Sequence, residues 1–461
     1  MPGIVDRLYG EVFRRILQPA WESGIRRRPL LDYWHQLEKL QWSSRDELEA
    51  LQVTLLQKLL RHSWQNVPFY RKRMDQAGLG PDALRTLDDL RRLPILSRDE
   101  ANTDPMSRFS TAPPLATLRK VTSGSSGIPL TFGYDIDSDY WRQAVKMRGY
   151  GWAGFRPGDV TVHFWGAVAK KPSWKTKMWV QTDRKIRREI MFDCGTRGEP
   201  ELLQVIELIK KYRPTMLICY TQAAADLARF VLERPNLRAW DTIPVLCGAE
   251  RLFPADRVVM EQAFGKGLFE TYGSREVMLM AAETDSHEGL LVQMENLVVE
   301  IVVRGADGRE RPAEPGETGE VVVTDLHNFG MPFIRYANGD LATMGPKTPS
   351  SCGRKHMRLS GIDGRVTETL TDAKGKPVNG LVFNVMFSTL GYTVRQFQAV
   401  QHKDRSVTLR VVPNEMFDAG ARKIVQDQAG KYLPGLPFKL EIVKEIATSP
   451  SGKRHVVVVE K

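Results

Sequence analysis

Hydroxyl side chains and glycines crowd into Thr122-Ser123-Gly124-Ser125-Ser126-Gly127, a run that follows LRKV and precedes an apolar segment. Glycine lets the backbone turn sharply, so successive N–H groups can converge on an anion, and the hydroxyls of Thr122, Ser123, Ser125 and Ser126 add donors. The run lacks the Gly-Lys-Ser/Thr ending of a Walker loop, which excludes the common P-loop reading. A flexible turn has the same composition, so these residues alone leave both readings open.

Other candidates lie further along. In Glu270-Thr271-Tyr272-Gly273-Ser274-Arg275-Glu276, Tyr272 offers a flat face to a base and Gly273 permits close backbone approach. Glu276 supplies the hard oxygen that Mg²⁺ prefers. A strand end with a surface glutamate is the plain alternative. In Arg335-Tyr336-Ala337-Asn338-Gly339-Asp340, Asp340 can accept hydrogen bonds from two vicinal hydroxyls, as a ribose presents; an ordinary turn aspartate reads the same way. Gly364-Arg365 carries a planar guanidinium suited to ribose and phosphate oxygens, or to a surface salt bridge. Pro450-Ser451-Gly452-Lys453-Arg454 holds an ammonium that can meet a developing negative charge, or simply water.

The elements that must position these groups follow from hydrophobic periodicity. EPELLQVIELIKKYRP reads as an amphipathic helix with a proline stop, and TMLICY as a strand. Thr221 reads as the cap of the helix QAAADLARFVLERP, with IPVLCGAE, PADRVVMEQAFG and GLFETYGS continuing as strand, helix and strand. That alternation predicts a parallel sheet. Ligands of open α/β sheets bind beyond the carboxyl ends of the strands. The pattern therefore sends Tyr220 and Thr221, Gly248-Ala249-Glu250, and Tyr272-Gly273-Ser274 to one crevice.

Residues 1–100 read as mostly helical, with one long helical run ending near Pro68, and 295–345 as strands. Beyond Gly364-Arg365 come a hairpin, a helix and two more strands. The expected fold is α/β: a large N-terminal domain with mixed and parallel sheets and flanking helices, plus a small mobile α+β domain at the C-terminus. Its boundaries fall at 1–100 for the helical segment, 101–365 for the core and 366–461 for the small domain.

A length of 461 residues suits two or three domains. Cys194, Cys219, Cys247 and Cys352 form no C-x-x-C pair, which argues against a disulfide framework and fits a reducing, cytoplasmic setting. The net charge of +11 invites a nucleic-acid reading. The cations are scattered among acids, however, and no recognition motif accompanies them, so anionic small molecules are the better match and nucleic acid is not an expected partner. No apolar run is long enough to span a membrane. The first residues lack the apolar core of a signal peptide, yet space Val5, Leu8, Val12, Ile16 and Leu17 as a helix with Arg7, Arg14 and Arg15 interleaved. A membrane-surface helix is one reading; the acidic residues Asp6, Glu11 and Glu22 favour the other, a helix packed on its own domain.

Taken together and in this order over 122–453, the motifs resemble the adenylate-forming superfamily. HSWQNVPFYRKRM, LRRLPILSRDE, TSGSSGIP, CGAERL, ETYGSREV, GETGEVVVTDL, MPFIRYANGDLA and CGRKHMRLSGIDGR resemble the phenylacetate–CoA ligase family, including its CapK-type relatives, over about residues 45–461. The resemblance implies that Thr122–Gly127 holds the phosphates of ATP, and that Gly248-Ala249-Glu250 with Tyr272-Gly273 flanks the adenine. It implies Mg²⁺ on Glu276, ribose hydroxyls on Asp340, ribose and phosphate on Arg365, and charge stabilisation by Lys453. A carboxylic acid would become an acyl-AMP with loss of pyrophosphate. The small domain would then rotate and coenzyme A would take the acyl group; an amine, a hydroxyl or a carrier protein is the alternative acceptor. Relatives are often homodimers.

The chain also departs from the family. Thr367-Glu368 stands where an acidic pair usually follows Gly-Arg. Of a zinc-binding cluster found in some relatives, at most His287 and Cys352 are retained, so zinc is not expected. Arg275 fills a slot that is usually small or apolar. His163-Phe164-Trp165-Gly166 leads into an insertion-like, Lys/Arg- and Trp-rich stretch unlike a plain phenyl pocket.

Overall fold

The computed structural model describes residues 4–121, 130–166, 174–194, 198–305, 309–365, 369–373, 377–379, 394–413, 415, 417–447 and 457–460. In chain order the elements are α1 (Ile4–Val12), α2 (Leu30–Leu40), α3 (Arg45–Asn66), α4 (Pro68–Gln76), α5 (Arg98–Thr103), β1 (Leu118–Val121), β2 (Thr131–Tyr134), α6 (Ile136–Gly151), β3 (Thr161–Trp165), α7 (Trp174–Arg187), β4 (Glu189–Asp193), α8 (Glu199–Tyr212), β5 (Met216–Tyr220), α9 (Thr221–Glu233), β6 (Val245–Gly248) and α10 (Pro254–Phe264). They continue as β7 (Leu268–Ser274), β8 (Met278–Glu283), β9 (Leu290–Val292), β10 (Leu297–Arg304), β11 (Glu310–Pro312), β12 (Thr318–Asp325), β13 (Tyr336–Met344), β14 (Arg358–Arg365), β15 (Thr369–Thr371), β16 (Pro377–Asn379), β17 (Val394–Gln401), β18 (Val407–Pro413), α11 (Ala419–Tyr432), β19 (Phe438–Ile442) and β20 (Val457–Val459). Contacts group them into two compact units, Met1–Asp159 with Phe269–Ile362, and Val160–Leu268 with Asp363–Lys461.

In the first unit, helices cover a sheet of order β11-β10-β12-β13-β14-β9-β8-β7. Ser44 starts α3 with a capping box: its hydroxyl accepts from Glu47 N–H at 3.3 Å while its own N–H donates to Glu47 Oε2 at 2.7 Å. Leu48, Gln52, Leu56, Leu59 and Leu60 bury one face of that helix, and Gln52 Nε2 donates to the Leu297 carbonyl of β10 at 2.7 Å. Pro68 does end this run, at a cap on Val67, but it also opens α4 as its first helical residue. A missing N–H costs nothing in a first turn, so one proline serves both purposes.

Helix α6 lies on β8. Gly149 permits the close approach, since a Cβ would come within 2.3 Å of Leu279 Cδ2 and that side chain would have to shift. Its Arg148 forms a buried pair with Glu295 at 2.7 Å, and His356 Nε2 lies 3.1 Å from the same carboxylate. Burial works against the charge on Glu295, yet Arg148 and His356 overcome it and hold the group well below the usual carboxylate range.

His327 illustrates the opposite balance. It stacks on Trp141 with centroids 4.0 Å apart, bonds the Glu295 carbonyl at 3.0 Å, and burial lowers its pKa from 6.5 to about 4. Between those values the unfolded chain binds a proton that the native chain refuses, so stability rises with pH. The His327 contribution is complete above about pH 6.5 and is lost progressively down to about pH 4, by roughly 3 kcal/mol in total. Urea titrations at pH 7 and pH 4.5 measure it; replacing His327 with phenylalanine flattens that part of the profile.

In the second unit β4-β3-β5-β6 run parallel, with Phe164 opposite Cys219 and Tyr220 opposite Gly248. Val162, Phe164, Leu217, Cys219, Val245, Cys247, Leu227 and Met260 form the core. Burial raises the Cys219 thiol far above its ordinary range, which makes it inert packing. The stretch after His163-Phe164-Trp165-Gly166 that looks like an insertion contains regular structure, the helix α7 and the outer strand β4. Arginines at the end of a helix joined directly to a five-residue strand obscure the alternation.

The C-terminal sheet has the order β19-β18-β17-β20. Its central hairpin is antiparallel, whereas both outer strands pair in parallel. Val425, Ala429 and Leu433 at α11 complete its core with Leu409 and Val411.

Candidate nucleotide site

In the first unit the end of β7 meets β13. Tyr272 Oη donates to Asp340 Oδ2 at 2.9 Å. Asn338 Nδ2 reaches both groups, at 2.8 Å from the phenol and 2.9 Å from the carboxylate, and Asp340 N–H returns a bond to Asn338 Oδ1 at 3.0 Å. All three residues are buried. The turn that allows this has Gly339 at φ +82°, a conformation in which a side chain is strained. Gly273 is equally constrained: β7 bulges against β8 at this point, and a Cβ would lie 2.2 Å from the Met278 carbonyl oxygen.

Glu276 follows the same bulge and is also buried. Arg98 Nη1 lies 3.7 Å from its Oε1. The backbone places that arginine: Leu96 N–H donates to the Arg335 carbonyl at 2.7 Å, and Ala337 N–H donates to the Leu96 carbonyl at 3.0 Å. The segment PILSR is thereby laid along the start of β13. Ser97 then caps α5, accepting from Glu100 N–H, and the first helical residue projects a guanidinium toward Glu276. Tyr336 lies fully buried beside this pair; burial raises its phenol well above the ordinary range, and the Glu276 charge raises it further.

In the second unit Trp165, Tyr220 and Gly248 end β3, β5 and β6 on one edge. The Trp165 and Tyr220 rings meet edge to face at 4.8 Å, and a Cβ on Gly166 would lie 2.3 Å from Tyr220 Oη. Ala249 turns at φ +67°, which directs Glu250 back to the sheet. Here the structure corrects one expectation. Thr221 does not cap α9: Tyr220 holds the cap position, and the Thr221 hydroxyl donates to the Glu250 carbonyl at 2.8 Å. The Glu250 carboxylate caps instead, accepting from Gln222 N–H at 3.0 Å, where a negative charge complements a helix N-terminus. Glu250 thus fixes the Gly248-Ala249 turn. Next to it Arg251 donates to the Asp363 carbonyl at 2.9 Å, immediately before Gly364-Arg365.

The structure therefore joins Tyr272 to Asp340 in one unit and builds Gly248-Ala249-Glu250 in the other. Arg365 ends β14. Thr122, Ser123, Gly124, Ser125, Ser126 and Gly127, Thr367-Glu368 and Lys453 lie outside the described residues, as does the Arg365 side chain. Sequence reasoning overlooks Asn338 and Arg98. Asn338, two residues from Asp340 around a turn glycine, carries a recognisable signal; Arg98 carries none, since only the β13 pairing brings it to Glu276.

At the retained zinc-cluster positions, His287 Nδ1 bonds Glu283 Oε1 at 3.0 Å. A Ser286–Ser350 hydroxyl bond at 3.1 Å and an Arg358–Glu288 ion pair at 2.8 Å link the two segments. The described residues contain no group of three candidate metal ligands.

Comparison with known proteins gives this geometry a context. Residues 370–460 match the family model of the CapK C-terminal domain. The chain is 24% identical to a phenylacetate–coenzyme A ligase of Thermus thermophilus over 90% of its own length and 91% of the relative's. It is 28% identical to the Aromatoleum evansii enzyme of the same name over 72% and 74%, and 21% identical to Staphylococcus aureus CapK over 94% of each. Residues 370–460 thus carry a CapK C-terminal domain, and nearly the whole chain is similar to phenylacetate–CoA ligases and to CapK. The fold of the chain is similar to that of 2-hydroxyisobutyryl-CoA ligase in complex with an acyl-adenylate, at a TM-score of 0.74 and 20% identity with 92% of both chains covered.

Proposed function

We propose that this chain uses ATP to turn a carboxylic acid into an acyl-AMP and passes the acyl group to coenzyme A in the cytoplasm. A carboxylate oxygen of the acid attacks the α-phosphorus of ATP, the bond to the β-phosphate oxygen breaks, and pyrophosphate leaves. The thiol sulfur of coenzyme A then attacks the acyl carbon, AMP departs with the former carboxylate oxygen, and the thiol proton passes to solvent. Both steps depend on positioning and electrostatics and need no side-chain nucleophile.

The observation that carries this reading is the Tyr272–Asn338–Asp340 cluster, in which Asp340 takes the ribose hydroxyls and Tyr272 the base. Gly248-Ala249-Glu250 line the adenine from their own strand ends, Thr122–Gly127 hold the phosphates, and Arg365 meets ribose and phosphate. Lys453 meets charge developing on the α-phosphate, and residues 366–461 rotate as a small domain between the steps. The donor set suits a nucleotide-borne Mg²⁺: Glu276 offers one hard oxygen, and Mg²⁺ takes one or two carboxylates together with substrate phosphates. When bound, the ion neutralises phosphate charge.

Asn338→Ala raises the KM for ATP by about 5- to 10-fold with little change in kcat, because it removes a positioning bond and no reacting group. Steady-state kinetics at varied ATP test this. The likeness to CapK supports a second reading, in which the adenylate passes to an amine, a hydroxyl or a carrier protein. Incubation of the chain with ATP, Mg²⁺ and a panel of carboxylic acids, with and without coenzyme A, separates the two. Acyl thioester and AMP formed together support coenzyme A as acceptor; AMP formed only with another nucleophile supports the second reading.

A further inference from the structure

The N-terminal helix leaves an apolar face uncovered. Helix α1 continues beyond Val12 in wider, π-type turns to Ile25. One side is docked: Phe13 is buried against Gly158, whose Cβ would come within 2.5 Å of that ring, and Arg14 Nη1 donates to the Pro157 carbonyl at 3.1 Å and to Asp159 at 3.0 Å. Gly10 and Gln18 share this buried side. On the opposite side Ile4, Val5, Leu8 and Val12 fall within an arc of about 100° at helical spacing. They are 87%, 79%, 64% and 38% exposed, and Ile16 extends the stripe at 60%. A run of large aliphatic side chains in water on a helix fixed from behind marks an interaction surface.

Charge identifies what it meets. Between residues 4 and 28 six arginines (Arg7, Arg14, Arg15, Arg26, Arg27 and Arg28) face three acids. Two of those acids are already engaged by arginines: Glu11 lies 2.7 Å from Arg14 and 3.3 Å from Arg15, and Glu22 is fully buried at 2.5 Å from Arg28. With every acid offset by an arginine the segment still carries a net charge of +3, and Arg7, Arg15, Arg26 and Arg27 are exposed. No helix among the described residues is long and apolar enough to cross a membrane. An aliphatic stripe bordered by arginines is the design of a helix that lies in the headgroup region of a bilayer bearing anionic lipid.

We propose that Ile4, Val5, Leu8, Val12 and Ile16 seat this protein peripherally on an anionic membrane surface. The test is co-sedimentation of the full chain with vesicles of phosphatidylcholine alone and of phosphatidylcholine with about one-third phosphatidylglycerol. Binding is expected to the second type only, and to weaken as salt screens the arginines. The double variant Leu8→Glu, Ile16→Glu alters exposed positions only. It is expected to keep its melting temperature and its pyrophosphate release in solution, and to lose at least about tenfold in vesicle affinity. The companion variant Trp174→Ser, Met178→Ser changes the separate exposed patch on α7 and is expected to leave binding intact. Absence of binding to anionic vesicles overturns the proposal, as does binding that survives the glutamates or depends on α7. A dimer in analytical ultracentrifugation that the glutamates dissociate also overturns it, because the stripe then belongs to a second copy.

Discussion

The Lys453→Ala variant releases pyrophosphate at least about 10²-fold more slowly than the parent chain, the usual consequence of removing one pre-aimed donor to a developing charge. The lysine follows Pro450-Ser451-Gly452 in the sequence, a composition that reads as a turn. In the proposed reading its charge matters only while the α-phosphorus is under attack. The defect therefore appears in kcat for adenylation, with a KM for ATP close to the parent value. Thioester formation from a chemically prepared acyl-AMP retains most of its rate. Single-turnover measurements of the two half-reactions distinguish this from general damage, which slows both.

Asp340→Ala has the second large effect and a different signature. In the proposed reading Asp340 accepts two ribose hydroxyls, each charge-assisted bond contributing about 1.5–3 kcal/mol. Its loss raises the KM for ATP by on the order of 10²-fold, allowing for incomplete additivity. The same truncation removes the acceptor of Tyr272 Oη and of Asn338 Nδ2. Leaving those buried donors without it lowers stability by about 1–3 kcal/mol. Denaturant unfolding without ligand measures that cost separately. Added ATP then stabilises the parent chain much more than the variant, because protection follows affinity.

Much of this architecture is legible in the residues. The helix and strand periods of 198–276 and of 295–345 predict the observed elements, and the hairpin, helix and strands after residue 394 lie where their patterns put them. Two failures are instructive. Glu189–Asp193 is only five residues long and directly follows an Arg-rich helix, so local pattern cannot separate a sheet strand from an insertion. Thr221 looks like a cap by residue type, but Glu250, 29 residues on in the sequence, supplies the carboxylate. Capping from a distant loop leaves no local trace.

The candidate site divides in the same way. Tyr272, Glu276 and Asp340 stand out because glycines and turn chemistry flank them. Arg98 is invisible until Leu96 pairs with β13, since nothing in LSRDE announces a carboxylate nearly 180 residues away. Helix α1 shows a related limit: its composition is readable, but which face is docked depends on Gly158 and Asp159, which no periodicity connects to it.

In the proposed reading this chain joins a carboxylic acid to AMP by a reversible step that precedes any acceptor. Exchange of labelled pyrophosphate into ATP tests it most directly. With the right member of a panel of carboxylic acids, and with coenzyme A omitted, label enters ATP in proportion to enzyme and ceases when the acid is withheld. Saturable ATP binding with no acid-dependent exchange across the panel, or thioester formation accompanied by ADP and phosphate, contradicts the account.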